Sequence, residues 1–248
     1  MPLSLRLLRW GIALLLLPLT AAAGWSLVEL FQALWNSGEW KLAWCWSVGG
    51  GLAAWLLLYA ALPRPLWIYV FGHELTHALA VYLHAGRVHR FQVSSRGGMV
   101  VSDRSNWIIA LAPYFIPVYT LLLIGLWWTA DFYHPLAAYT PWFYAGIGLT
   151  WGFHLTFTVS MIGAGQSDLT GQGVFFSLVV IVLLNLLAVE ISLLSVLHGV
   201  SWGHFFRQLG GHAWDAYAAT GRTLWHGARW TASFLSGLLA DPHAKPAR

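Results

Sequence analysis

His73 and His77 enclose an acid in the stretch His73-Glu74-Leu75-Thr76-His77. Residues four apart on a helix share one face, one turn apart. Two imidazoles so placed can bind one Zn²⁺. Glu74, beside the first ligand, can reach a water on that metal and take its proton. These residue types at this spacing are what metal-assisted peptide hydrolysis needs. The pattern also arises by chance, with only three fixed positions. Here it sits in an apolar run, where three ionisable residues within five positions are costly and rare. Metal coordination supplies a reason for them; a structural polar cluster and a metal site without catalysis are the other two readings.

Catalytic zinc takes a third protein ligand and leaves the fourth position open. Asp168, in Gly165-Gln166-Ser167-Asp168-Leu169-Thr170-Gly171, is the only acid between Asp131 and Glu190. The flanking glycines allow a sharp turn that presents the carboxylate inward. The competing role is helix capping. His154, in Trp151-Gly152-Phe153-His154, has three roles open to it: a rival third ligand, a hydrogen-bond donor to the transition state, or a packed polar group. The catalytic reading takes it as the donor beside Glu74. Asn185 and Glu190 either satisfy each other or line a cavity. His84, His89 and His198 lie near the ends of apolar runs and read as interfacial.

The elements that must carry these residues are apolar. Of 248 residues, 58% are hydrophobic and 9% charged, with a mean hydropathy of +0.63. An ordinary soluble domain carries about 25% charge, so lipid is the simpler solvent. The net charge of +4 comes without a long Lys/Arg run, which argues against a nucleic-acid partner and for contact with lipid headgroups. Many of the 17 Trp suit interfacial belts. Cys45 is the single cysteine, so an intramolecular disulfide and a multi-cysteine metal cluster are both excluded.

Six apolar runs follow, at about 10–30, 42–62, 66–84, 105–128, 139–162 and 174–197. The first reads as a retained membrane helix kinked at Pro18, with a cleaved secretory signal as the alternative. The third holds the His pair. Residues 86–104, GRVHRFQVSSRGGMVVSDR, alternate around Gly97-Gly98 and predict short strands at a turn. Arg87, Arg90, Arg96 and Arg104 draw this insert toward the cytoplasm. With six spans that leaves both termini outside, against the pull of Arg6 and Arg9. From Ser201 the chain is mixed and predicts amphipathic helices on the membrane surface, with a frayed end at 241–248. The expected fold is an all-α polytopic membrane protein of about six transmembrane helices, with a short strand-like insert after the motif helix. Residues 1–200 form the membrane domain and 201–248 an amphipathic tail.

Phe71-Gly72-His73-Glu74-Leu75-Thr76-His77-Ala78 resembles the active-site helix of site-2-protease-like intramembrane zinc metallopeptidases. The order of features after it is similar too. Gly97-Gly98-Met99-Val100-Val101 follows as a Gly/Val-rich strand, then Ala110-Leu111-Ala112-Pro113 as a small-residue-plus-proline stretch, then Asp168. The resemblance covers roughly residues 66–185. It implies zinc held by His73, His77 and Asp168, Glu74 as base, and cleavage of a peptide bond in or beside the membrane, in a membrane-protein or peptide substrate. The chain departs from the family pattern in having Leu169, not Gly, after Asp168, and no asparagine in the fifth run. No PDZ-like or nucleotide-binding accessory domain is visible, and the chain reads as a divergent member. The alternatives are a non-catalytic membrane scaffold or chaperone with a structural zinc, and a metal transporter using His73, His77, His154 and Glu190.

Overall fold

The computed structural model of the chain describes residues 2–94 and 97–239, with side chains as far as Ser236. Arg96 and the 241–248 end lie outside the described residues. The chain is mostly helical: α1 (Leu3–Ser37), α2 (Ala43–Ala61), α3 (Leu66–Leu83), strands β1 (Val88–Ser94) and β2 (Gly97–Ser102), then α4 (Trp107–Phe115), α5 (Val118–Tyr133), α6 (Thr140–Ile162), α7 (Ser167–Gln172), α8 (Val174–Leu194) and α9 (Trp202–Leu239).

Four helical stretches are long and apolar enough to cross a membrane: Leu3–Ser37, Ala43–Ala61, Ala137–Ile162 and Val174–Leu194. Their outward faces carry Leu14, Leu15, Leu57 and Val182 exposed, the surface expected of a multi-pass membrane bundle. A fifth span exists if α4 and α5 count as one, although they are bent by 71°. The expected six therefore become four or five, for two physical reasons. In α3, His73, Glu74 and His77 dilute the hydropathy of an 18-residue helix. In the fourth run, Pro117 forces the residue before it out of the helical region: Ile116 is extended at φ −96°, ψ 110°. Asn106 opens α4 by accepting the Ile109 amide at 2.9 Å, an N-cap.

The helices α2 and α6 approach until their backbones touch. A Cβ on Gly51 would overlap the Ala145 carbonyl, and one on Gly148 the Val48 carbonyl. Small residues at such crossings let helices pack in lipid. Further along, Trp55 Nε1 donates to Thr156 Oγ1 at 2.9 Å, and the hydroxyls of Tyr59 and Ser160 meet. On the other flank, α1 and α8 run side by side. Ala13 packs with Phe176, Val179 and Val180 at one end, and Leu30 and Leu34 pack with Leu194, Leu197 and Phe205 at the other.

The C-terminal segment is one helix, and its first half docks on α1. His212 Nε2 pairs with Glu29 Oε2 at 2.9 Å, and Tyr217 donates to the Leu15 carbonyl at 2.6 Å. At the start of α1, Arg9 donates to the carbonyls of Gly171 and Gln172, at 3.3 and 2.9 Å. The Arg9 end of α1 and the α7 turn therefore sit together.

β1 and β2 form an antiparallel hairpin, with Val93 opposite Gly98 and Phe91 opposite Val100. It packs on α3 and sets the sheet beside the His pair.

Candidate metal centre

The helix α3 places Tyr69, His73 and His77 on one face at successive turns. Asp168, in the first turn of α7, faces them. His73 Nε2 is 3.2 Å from His77 Nε2, and Asp168 Oδ2 is 3.3 Å from the first and 3.4 Å from the second. The three atoms form a nearly equilateral triangle. A tetrahedral zinc with bonds of about 2.0–2.1 Å needs its ligand atoms about 3.3–3.4 Å apart. The donor set fits such an ion in size.

It fits in chemistry as well. His77 Nδ1 donates to the Ile109 carbonyl at 2.8 Å, which leaves the Nε2 lone pair facing the triangle. His73 Nδ1 meets the Tyr69 hydroxyl at 2.9 Å; with its proton there, its Nε2 is likewise a lone pair. Three lone-pair atoms this close call for a shared cation. Such outer partners orient metal-binding imidazoles. The third is Tyr114, fully buried, whose hydroxyl donates to Asp168 Oδ2 at 3.4 Å and whose ring meets His73 edge-on at 5.3 Å.

Asp168 makes no helix cap: Gln166 holds the N-cap position of α7, without a side-chain bond. Arg9 on the last carbonyls of α7 and Ser177 Oγ donating to the Leu169 carbonyl at 3.1 Å fix the turn instead. Asp168 supplies the one carboxylate of the set, and a carboxylate binds a metal in its ionised form.

Glu74 points into the same cavity as the triangle. That cavity, of about 760 Å³, is lined by Tyr69, His73, Glu74, His77, Asp168 and the whole of β2. Glu74 is 7% exposed, and among the described residues no hydrogen bond occupies its carboxylate.

His154 lies elsewhere. It lines a smaller cavity of about 20 Å³ behind His73, with Thr76, Tyr119 and Phe153. Its Nε2 donates to Asn185 Oδ1 at 3.1 Å, while Asn185 Nδ2 donates to the carbonyls of Tyr114 and Ile181, both at 2.8 Å. Asn185 thus pairs with His154 and not with Glu190. Glu190 is fully buried in α8, and among the described residues neither of its carboxylate oxygens has a hydrogen-bond partner. Among the described residues, His73, His77 and Asp168 are the one group of three His, Cys, Asp or Glu side chains that could hold an ion; His154 and Glu190 are not in it.

Comparison with protein-family models, with curated proteins and with solved structures gave no match. The chain is a helical membrane protein with a potential metal-binding triad, and what the triad does must be argued from its own chemistry.

Proposed function

We propose that this chain is a zinc-dependent endopeptidase that cuts peptide bonds in or beside the membrane. The observation that carries the reading is a free carboxylate, Glu74, on the cavity that the three ligand atoms also face. A purely structural zinc site is closed and has no use for such a group.

His73, His77 and Asp168 would hold the zinc, which when bound would supply Lewis acidity to a scissile carbonyl and to a water. Glu74 takes a proton from the attacking water as the water oxygen adds to the carbonyl carbon. The C–N bond then breaks, and Glu74 returns the proton to the leaving amine. Tyr69, the Ile109 carbonyl and Tyr114 hold the three ligands in place. His154 braces Asn185, and Asn185 braces the Tyr114 carbonyl. We assign His154 this supporting place because its Nε2–H is already committed.

The substrate must be extended, since a helical carbonyl is engaged in its own helix. β2 pairs with β1 along one edge only, and its other edge can take an extended peptide by strand addition. Proline or N-methyl groups throughout the substrate's extended segment then abolish cleavage.

The test is chelation followed by restoration of zinc, on purified protein in liposomes containing labelled transmembrane peptides. Cleavage that disappears with chelator and returns with zinc supports the reading. Zinc flux across the vesicles without cleavage replaces it with transport. Tightly held zinc with neither flux nor cleavage across a broad peptide panel leaves a scaffold.

A further inference from the structure

The hairpin strand β2 lies directly on the proposed base, and one residue sets how closely. A Cβ on Gly98 would overlap Cγ of Glu74 and stand 2.7 Å from its Oε1 and 2.8 Å from its Cδ. Both backbones are held within their own elements. Gly98 is held in register opposite Val93, and Glu74 sits in the middle of α3, between two histidines that both face Asp168. All three atoms that a Cβ on Gly98 would meet belong to the Glu74 side chain, the part of the contact on rotatable bonds. Gly97 next to it is different: its φ is +142°, and a Cβ there meets nothing within 4 Å.

We propose that Gly98 is a positioning residue for Glu74: its missing side chain lets β2 seat on the Glu74 side chain and hold it in the cavity that the metal ligands also line. The contact itself stands on geometry, while its consequence for rate rests on the peptidase reading. Any side chain at 98 pushes Glu74 aside and leaves the ligand triangle intact. The same seating places the backbone of β2, and any peptide paired to its edge, at a fixed distance from the base.

The experiment compares wild type, Gly98→Ala, Gly97→Ala, Glu74→Ala and the double variants in lipid, measuring thermal midpoint, zinc content, kcat and KM. Gly98→Ala is expected to keep one zinc per chain, lower the midpoint and lower kcat at least tenfold, with KM within about twofold of wild type. Glu74→Ala removes the atoms in the way, so adding Gly98→Ala to it should leave the midpoint nearly unchanged; such non-additivity marks a direct contact. Gly97→Ala should lower the midpoint equally with and without Glu74→Ala. The proposal is overturned if Gly98→Ala matches wild type, if it loses zinc, or if its midpoint loss is the same in both backgrounds. The midpoint comparison needs no substrate, so it decides the contact even if the chain cuts nothing. Cleavage that survives Glu74→Ala would sink the peptidase reading and leave the contact to be judged by the midpoints.

Discussion

Oδ2 of Asp168 lies 3.3 Å from Nε2 of His73, across 95 residues of sequence. The same oxygen is 3.4 Å from His77. Two elements far apart in the chain, α3 and α7, thus bring one carboxylate oxygen to two nitrogens. Replacing Asp168 by Ala removes the only anion from the triad. Zinc affinity should fall by more than about a hundredfold, beyond what loss of an outer partner produces, as read by competition with a chromophoric chelator.

The outer partners give a smaller, graded effect. Tyr69→Phe and Tyr114→Phe each remove one hydroxyl, from His73 and from Asp168. Each should weaken zinc binding by about 10- to 100-fold, with the helical content by circular dichroism unchanged. An unaltered affinity in both variants would mean that the hydroxyls do not orient the ligands.

Much of this site was legible. His73 and His77 announce themselves by spacing, and Asp168 by being the only acid in a long apolar interval. Gly97-Gly98 between alternating residues marked the hairpin. Tyr69 was missed although its signal was present: it lies four residues before His73, on the same face. Tyr114 and the Ile109 carbonyl carry no such signal, because only tertiary packing brings α4 to the ligands. His154 drew attention as an ionisable group in an apolar run, but its pairing with Asn185 depends on how α6 meets α8. Of the six expected spans, four or five are long and apolar enough to cross: α3 carries three ionisable residues that lower its hydropathy, and the fourth run breaks by 71° at Pro117.

The α2–α6 crossing should not tolerate a side chain. Gly148→Val places atoms on the Val48 carbonyl. Overpacking of this kind costs about 1–3 kcal/mol, and more is expected here because backbone, not side chain, stands in the way. Thermal unfolding in detergent should show a lowered midpoint, whereas Gly49→Val, where a Cβ meets nothing within 4 Å, should change it little.

Outside the spans, Glu39 ties the end of α1 to the α8–α9 junction. It accepts the backbone amides of His198 and Gly199, each at 3.1 Å. Burial opposes its charge, but the bonds from His198 and Gly199 prevail and hold its carboxyl below the usual glutamate range. A lowered folded-state value adds stability that is complete above the ordinary glutamate range and is lost as pH falls from there through the lowered folded-state value. Glu39→Gln should therefore lower the thermal midpoint at neutral pH and match wild type at low pH. A constant difference across the range would contradict this.

The most direct test of the central claim pairs two readings on the same samples, zinc content and cleavage of a membrane peptide, for wild type and Glu74→Gln. The account predicts one zinc per chain in both, with cleavage in wild type and a loss of at least about a hundredfold in the variant, the scale on which a positioned acid–base group contributes. Glu74→Gln that holds zinc and cuts as fast as wild type would contradict it.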